Sequence, residues 1–338
     1  MNGKKIVFTK VNTAELLDAD YRAPKDNEVV VETAVSTVSC GTERANITGD
    51  PNVTGGTGAK PFPRVLGYSS AGVIIEKGKN VKNLEIGDRV ICFWGNHSKY
   101  NTIGEDCIVK IEDDAISFEE GALSFIASFS MAAIRKTRLE IGESAIVMGL
   151  GLLGQLAVRL LKAAGAVPII AVDPVESRRK EALKHGADYA FDPFDSDFTK
   201  KVKEVTGGGA NVAIEVTGVG AGLDGVLDCM ARFGRVALLG CTRNKEFNID
   251  YYKKVHFPGI SLIGAHTLAR PEVESHPGYF THQDDIKAVM KLCLGKRIDL
   301  LSIVKETHKP EDCGEVYNRL INDKDFPVGV QFDWRHIK

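Results

Sequence analysis

The chain has 338 residues, of which 43% are hydrophobic and 26% are charged, and its formal net charge is −2. This length suits two domains of ordinary size, and a near-neutral charge without a basic block argues against a nucleic-acid-binding protein. The N-terminal residues turn polar by Thr9, so no signal peptide is predicted, and no apolar stretch is long enough to span a membrane.

The 7 cysteines are scattered along the chain and none of them forms a Cys-x-x-Cys pair. An odd number without clustering argues against both a disulfide framework and a structural zinc lobe. We therefore expect a cytoplasmic protein with reduced thiols.

Residues 1 to about 120 are rich in Val, Ile, Gly and turn residues, which predicts a β-rich, barrel-like domain. A buried strand is predicted over 29–35, a strand that ends in a turn over 71–78, and a tight turn that leads into a strand over 87–93. The many glycines and prolines of residues 46–63 predict a mobile surface loop.

From about 121 to 268 predicted strands and helices alternate, which indicates a doubly wound parallel sheet. The predicted strands are 144–148, 167–173, 210–216, 235–240 and 260–264, and the predicted helices are 152–164 and 176–184. After about 269 the pattern is mixed, with an amphipathic helix over 284–294 and a strand over 328–334 that is expected to rejoin the first domain.

A glycine-rich turn at 149–154 has the form G-x-G-x-x-G and lies between a predicted buried strand and a predicted helix. Gly149 would permit the tight turn, Gly151 the approach of a pyrophosphate, and Gly154 the packing of helix on strand. Asp173 ends the next strand, where it can accept hydrogen bonds from both ribose hydroxyls of NAD. The sequence therefore predicts an NAD site, although an ordinary strand–helix turn is the alternative.

The expected cofactor site has further members that follow these same predicted elements. They are Leu152 and Leu153 in the turn, Arg178 in the next helix, Thr217, Gly240, Ala265 and His266 after later strands. Arg178 and Arg179 leave NADP open, because a nearby arginine can accept a 2′-phosphate. A solvated helix face is the other interpretation of these two arginines.

Four short motifs precede the glycine turn in a fixed order, namely Cys40 to Thr42, Gly67 to Val73, Gly87 to Val90 and Glu119 to Leu123. This order resembles the medium-chain dehydrogenase/reductase superfamily, which contains the zinc alcohol and polyol dehydrogenases, over nearly the whole chain. The variants Gly-Thr-Glu-Arg and Gly-Tyr-Ser-Ser-Ala-Gly are similar to a branch that includes bacteriochlorophyllide dehydrogenase.

The resemblance implies an α/β protein with a GroES-like β-rich catalytic domain and a Rossmann doubly wound parallel sheet. The expected catalytic domain is 1–125 completed by 269–338, and the expected dinucleotide-binding domain is 126–268. In this family the cleft between the domains holds the nicotinamide and the substrate. The resemblance also implies a homo-oligomer, a dimer or tetramer, formed through the last Rossmann strands.

In zinc-using members the catalytic metal is held by a Cys, a His and a third Cys or acidic residue. By resemblance Cys40 keeps the first position, Tyr68 takes the place of the His, and the third position falls near Phe125. With one ligand of three left, we expect no metal. A rebuilt site from Cys40, His97 and Glu43 is the alternative.

Without zinc, side chains must polarise the carbonyl and move the alcohol proton. Tyr68 is the first candidate for this role and His97 the second, because their ring groups can exchange protons. The resemblance implies that Thr42 passes the alcohol proton to the ribose and that Glu43 orients its neighbours, so the expected catalytic set also contains these two and Cys40. All of these residues except Thr42 also have a purely structural interpretation. Tyr68, His97 and Cys40 would then be packed side chains, and Glu43 would be half of an ion pair.

The loop after the strand at 260–264 is expected to shape the substrate pocket. It is unusually polar, with Arg270, Glu272, Glu274, His276, Tyr279 and His282. Such donors and acceptors suit a hydroxylated substrate, a polyol or sugar, and a solvated loop is the alternative. We therefore expect an NAD-dependent enzyme that interconverts a secondary alcohol and a ketone. A zinc-free enone or quinone reductase and a non-catalytic dinucleotide-binding protein are the other hypotheses.

Overall fold

The computed structural model describes residues 2–53, 61–242, 244 and 246–337. The strands of the first part are β1 (Asn2–Lys10), β2 (Thr13–Asp20), β3 (Glu28–Thr37), β4 (Arg64–Val65), β5 (Ser69–Lys77), β6 (Arg89–Phe93), β7 (Tyr100–Gly104) and β8 (Ile108–Lys110), and its helices are α1 (Cys40–Ile47) and α2 (Phe118–Thr137). Among the helices of the described residues, none combines the length and the apolar character needed to cross a bilayer.

The middle of the chain alternates strands with helices. Its elements are β9 (Ala145–Met148), α3 (Leu152–Ala164), β10 (Ile169–Val172), α4 (Glu176–Lys184), β11 (Tyr189–Phe191), α5 (Phe198–Thr206), β12 (Ala210–Glu215), α6 (Gly220–Asp228), β13 (Met230–Leu238) and β14 (Ser261–Gly264). The last part contains α7 (His282–Leu294), β15 (Glu306–His308), α8 (Cys313–Asn322) and β16 (Val330–Asp333).

The described residues form two compact units. The first contains the residues up to Ile126, Ile286–Leu294 and those from Asp299 onward, and the second contains Ala127–Asp285 and Gly295–Ile298. The chain therefore returns to the first unit at Ile286, whereas the sequence had indicated 269.

The first unit is a mostly antiparallel β structure with a GroES-like fold. One sheet has the order β15-β16-β3-β5-β6-β8, with β7 paired to β3, and a second sheet has the order β2-β1-β4. The C-terminal strand predicted over 328–334 is β16, which pairs with β3 and places Gln331 opposite Thr37. Its Phe332 and the following Trp334 are buried against Phe8 and Tyr317.

The second unit is a Rossmann-like parallel sheet with the strand order β11-β10-β9-β12-β13-β14. The order reverses direction between β9 and β12, which is the switch point where such folds bind ligands. Every residue of β9 and β10 is buried, as expected for strands covered on both faces. Helices α3 and α4 have the predicted bounds, and Gly165 ends α3 at φ 86°.

Two helices of the first 140 residues were not predicted. Helix α2 has 20 residues and is buried along nearly all of its length, so it lacks the polar face that reveals a surface helix. Helix α1 includes Asn46 and Ile47, the first two residues of the predicted loop. Residues 54–60 of that loop lie outside the described residues.

Candidate active site

The glycine turn at 149–154 follows β9 and leads into α3. Gly149 has φ 98°, which side chains with a Cβ rarely adopt. A Cβ on Gly151 would meet no atom within 4 Å, whereas a Cβ on Gly154 would overlap the carbonyl oxygen of Gly149. The turn therefore offers open space over Gly151 at the N-terminus of α3, where a pyrophosphate would fit, and packs tightly at Gly154.

Asp173 follows β10 and its carboxylate is buried beside the turn. Oδ2 accepts a hydrogen bond from the backbone N–H of Leu150 at 2.8 Å, and Oδ1 accepts one from Val175 at 2.8 Å. Each oxygen keeps a second lone pair for a ribose hydroxyl. Arg178 lies 3.8 Å from Oδ2, and Arg179 donates to the Asp173 carbonyl. Both carboxylate oxygens therefore keep acceptor capacity beside the turn.

Two other members of the expected cofactor site lie next to the turn. A Cβ on Gly149 would be 3.0 Å from Cγ2 of Thr217, and a Cβ on Gly240 would overlap the N atom of Gly218. Thr217 and Gly240 therefore belong to the packed backbone at the carboxyl ends of the strands.

The last two members follow β14. Ala265 is buried and donates its N–H to the carbonyl of Leu238 at 3.1 Å. His266 is exposed, and its Nδ1 accepts the N–H of Leu268 at 3.2 Å.

Tyr68 lies in the first unit immediately before β5 and is partly exposed. Its hydroxyl shares a short hydrogen bond with the hydroxyl of Ser39, the residue before α1. Its ring centroid lies 5.7 Å from that of Trp94 and 5.9 Å from that of Phe125, at 90° to the latter ring. Two exchangeable hydroxyls thus meet beside an aromatic wall.

The family's zinc ligand set does not fit this site. By the resemblance, Tyr68 takes one of the three ligand positions and another falls near Phe125, which has no atom that can bind a metal. The Cys40 thiol lies 3.8–3.9 Å from the carbonyl oxygens of Val38, Pro327 and Val328. Within the part of the chain that the structure describes, no three His, Cys, Asp or Glu side chains form a metal-binding group, so Cys40, His97 and Glu43 do not form the rebuilt site.

His97 and Glu43, expected at the catalytic site, are 1% and 0% exposed. His97 Nε2 lies 3.2 Å from Glu43 Oε2, and its Nδ1 lies 2.7 Å from Ser36 Oγ. Ser36 Oγ accepts the Nε1–H of Trp334 at 2.8 Å. A carboxylate can only accept, so His97 Nε2–H donates to Glu43, and in that tautomer Nδ1 accepts the Ser36 hydroxyl proton.

The remaining donors to Glu43 come from two elements. The Tyr317 hydroxyl donates to Oε2 at 2.5 Å, and the backbone N–H of Ser39 donates to Oε1 at 2.8 Å. Burial and the neighbouring carboxylate raise the pKa of Tyr317 well above its ordinary value. Arg44, the next residue of α1, donates to the Ile321 carbonyl. Glu43 therefore holds the first turn of α1 by buried hydrogen bonds.

Gly67 brings the Tyr68 segment against His97. It has φ 108°, and a Cβ at this position would overlap the backbone and the ring of His97. The Leu66 carbonyl accepts the His97 N–H at 2.6 Å. Thr42 of the expected set is partly exposed in α1, where its carbonyl accepts the side-chain amide of Asn46 at 2.9 Å.

Arg270 is expected to bind substrate, but its guanidinium makes hydrogen bonds within the second unit. Its guanidinium donates to Asp285 Oδ2 at 3.0 Å and to the Thr267 carbonyl at 2.9 Å, and Arg135 Nε lies 2.9 Å from Asp285 Oδ1. Burial and Arg270 lower the pKa of His282 to about 3. The Arg270 and His282 side chains support the loop after β14, whereas the side chains of Glu272, Glu274 and His276 are exposed.

Sequence reasoning missed Ser39, which is the hydroxyl partner of Tyr68. A signal existed, because serine is a preferred residue immediately before a helix, but α1 itself was not predicted. It also missed Glu215, whose buried carboxylate binds the Thr217 loop, because a single acid at the end of an apolar strand carries no motif.

Comparison with known proteins matches both units. Residues 25–132 match the family model described as alcohol dehydrogenase GroES-like domain, and residues 153–276 match the one described as zinc-binding dehydrogenase. The D-guloside 3-dehydrogenase of Escherichia coli (strain K12) is 28% identical over 298 residues, which cover 79% of this chain and 82% of that enzyme.

The L-threonine 3-dehydrogenase of Pyrococcus abyssi (strain GE5 / Orsay) is also 28% identical, over 295 residues that cover 78% of this chain and 83% of that enzyme. Among solved structures, an alcohol dehydrogenase zinc-binding domain protein from Burkholderia ambifaria superposes with a TM-score of 0.83 at 22% identity. That superposition covers 98% of this chain and 99% of the other, and it shows that the folds agree.

Proposed function

Because the chain belongs to the medium-chain dehydrogenase/reductase superfamily and is an alcohol dehydrogenase-like oxidoreductase, we propose that it interconverts a secondary alcohol and a ketone on a hydroxylated small molecule, with NAD and without catalytic zinc. One observation supports this proposal more strongly than the others do. The Tyr68 and Ser39 hydroxyls are hydrogen-bonded to each other, and by the resemblance Tyr68 stands where relatives have a zinc-ligating histidine. Proton exchange by side chains then takes over the role of the metal.

The residues around the glycine turn support NAD as the cofactor. The turn and the first N–H groups of α3, at Leu152 and Leu153, would hold the pyrophosphate over Gly151. Asp173 would accept the ribose hydroxyls, and its negative charge disfavours a 2′-phosphate at the same place. When bound, the nicotinamide would supply the hydride chemistry of the reaction.

The hydroxyl pair supplies the proton. In the direction of ketone reduction, Tyr68 donates its proton to the carbonyl oxygen as that oxygen gains negative charge. Ser39 then donates its own proton to Tyr68 and regains one from solvent, and alcohol oxidation uses the same steps reversed. His97 and Glu43 are too deeply buried to touch a substrate, so they act by holding Ser39 and α1.

The names of the relatives support a secondary alcohol on a hydroxylated compound. One is a D-guloside 3-dehydrogenase and another an L-threonine 3-dehydrogenase. Trp94 is 37% exposed and its ring centroid lies 5.7 Å from that of Tyr68, while Phe125 packs against both rings and is fully buried. An exposed aromatic ring with a few polar groups is a usual lining of a small-molecule site and suits the C–H face of a sugar ring.

An enone or quinone reductase is the second candidate. The partly exposed rings of Tyr68 and Trp94 favour it, because flat conjugated substrates stack on such rings. The Tyr68–Ser39 hydroxyl pair favours the alcohol reaction, because that reaction adds a proton to the substrate oxygen or removes one from it.

We also propose that the chain forms a homodimer or tetramer through β14. This strand is the last of its sheet and pairs with β13, and Leu262 in it is exposed. An edge strand of this kind can pair with a second copy of itself. Light scattering should then give at least twice the mass of one chain, and Leu262→Lys should shift the protein toward the monomer.

The deciding experiment is elemental analysis of the purified protein, with activity measured before and after treatment with a chelator. The substrate panel should contain polyols, sugars, glycosides and quinones, each with NAD(H) and NADP(H). We expect activity with a hydroxylated substrate and NAD at much less than one zinc per chain, unchanged by the chelator. One equivalent of zinc lost together with activity would overturn the zinc-free proposal, and turnover of quinones alone would favour the second candidate.

A further inference from the structure

A buried carboxylate that no sequence motif marks lies at the centre of the cofactor unit. Glu215 is the last residue of β12, and it is 3% exposed. Its Oε1 accepts the backbone N–H of Thr217 at 2.8 Å and that of Gly218 at 3.2 Å, together with the Thr217 hydroxyl. Burial raises the pKa of Glu215, and these three donors act against that rise.

The loop that Glu215 holds is packed between two parts of the cofactor site. Thr217 Cγ2 lies so close to Gly149 that a Cβ there would be 3.0 Å away, and Gly240 approaches the N atom of Gly218 on the other side. The backbone N–H groups of Leu239 and Gly240 both donate to the Glu215 carbonyl at 2.9 Å. A displaced Thr217 would therefore push against the glycine turn.

The glycine turn thus has a carboxylate on each side. In the sheet β10 and β12 flank β9, and β9 leads into the turn. Asp173 after β10 accepts the N–H of Leu150 within the turn, and Glu215 at the end of β12 orders the residues that touch Gly149. Both carboxylates also accept the N–H of the residue two positions later, so they build the same local turn.

We propose that Glu215 is a positioning residue of the dinucleotide site, whose carboxylate holds Thr217 and Gly218 against the glycine turn and so preorganises the turn for the cofactor. This inference rests on the proposed function, since it requires that the unit binds a nicotinamide dinucleotide. Glu215 touches no cofactor atom in this role. It acts through Thr217 on Gly149, and its loss leaves three donors without an acceptor.

The test is NADH binding, measured by fluorescence titration of the full chain. Glu215→Ala should raise the Kd for NADH about tenfold or more, which corresponds to the loss of one net hydrogen bond to a charged group. At saturating NADH kcat should change less than threefold. Thr217→Val removes the hydroxyl donor, keeps a methyl group beside Gly149 and should raise Kd by a smaller factor.

Glu143→Gln is the matched control. Glu143 pairs with Arg235 at 2.6 Å and comes just before β9, at the opposite end of the same strand from the glycine turn. It should leave the Kd for NADH unchanged. A Kd raised equally by Glu143→Gln and Glu215→Ala would show general loosening of the unit and would overturn the inference.

Amide hydrogen exchange of the protein without cofactor gives a second readout. Glu215→Ala should speed exchange at Thr217 and Gly218 and leave α4 unchanged. Weaker NADH binding without faster exchange at these amides would overturn the positioning role. A wild-type chain that binds neither NADH nor NADPH would overturn the proposed function and this inference together, whereas normal NADH binding by Glu215→Ala would overturn the inference alone.

Discussion

At the scale of single residues, the Tyr68 hydroxyl carries the chemistry that we propose. Tyr68→Phe removes it and keeps the ring contacts with Trp94 and Phe125. We expect kcat to fall by about 10²- to 10⁴-fold, the usual contribution of a positioned proton donor, with the melting temperature nearly unchanged. Steady-state kinetics and a thermal scan of the same preparation check both parts.

Ser39 provides the control for this prediction. Ser39→Thr keeps the hydroxyl and should retain most of the activity, whereas Ser39→Ala should lower kcat by a smaller factor than Tyr68→Phe. If Tyr68→Phe turned over as fast as the wild type, Tyr68 would be a packed residue only, and the reaction would need another donor.

The glycine turn gives a paired prediction at two of its residues. Gly151→Ala places a methyl group in open space, so the fold should be retained while NADH binding weakens at least tenfold. Gly154→Ala forces a methyl group against the Gly149 carbonyl, so we expect a loss of about 1–3 kcal/mol in the free energy of unfolding. Denaturant unfolding and NADH titration of both variants separate the two effects. Equal stability of the two variants would contradict the assignment.

Residue by residue, the sequence indicated which side chains could do chemistry but not which ones meet. Tyr68, His97 and Glu43 were singled out by their types and by resemblance. Their contacts with Ser36, Ser39 and Trp334 follow from the pairing of β3 with β16 and from the start of α1, and no spacing along the chain reveals either.

At the scale of elements, α1 depends on one buried acid. Glu43→Gln keeps its shape but places an amide N–H₂ group where donors converge, so buried donors are left unpaired. We expect a loss of about 1–3 kcal/mol in the free energy of unfolding of the first unit. Urea unfolding followed by tryptophan fluorescence measures it, because Trp334 lies in this network.

Tyr317→Phe is the matched variant for Glu43→Gln, since it removes a single donor and leaves the carboxylate in place. Tyr317→Phe should lower the free energy of unfolding by less than Glu43→Gln does. A larger loss for Tyr317→Phe would mean that the Tyr317 hydroxyl, and not the Glu43 carboxylate, contributes more to the stability of this region.

Elements with clear ends were predicted best. Helices α3 and α4 were predicted at their observed bounds, because Gly165 and Gly186 stand just after their last turns, and glycine ends helices. Helix α2 was missed because its buried sequence has no polar stripe, and α1 because its Cys-Gly-Thr start resembles a loop. The parallel sheet was predictable from the alternation alone, since β9, β10 and β12 are short apolar runs.

At the scale of the whole molecule, His282 makes one contribution to the response to acid. Because burial and Arg270 hold the pKa of folded His282 near 3, the unfolded chain takes up a proton below about pH 6.5 that the folded chain does not. His282 therefore stabilises the fold above pH 6.5 and loses this contribution as the pH falls toward 3.

We expect His282→Gln to become more stable relative to the wild type as the pH falls from 6.5 to 4, by up to about 1.4 kcal/mol per pH unit. Melting temperatures of both proteins at pH 7, 6, 5 and 4 check this. A difference in stability that stays constant with pH would show that His282 titrates alike in the folded and unfolded chains.

Strand β16 has a consequence for how the protein is made. It lies between β15 and β3, so one sheet joins strands that are far apart in the sequence. The Rossmann-like sheet, from β9 to β14, precedes β16 in the chain, and before β16 is made β3 has β5 and β7 as neighbours, but its residues 35–37 lack a partner on the side where β16 pairs. We infer that translation leaves this part of β3 with an open edge until β16 is made, and that chaperones would bind there at this stage.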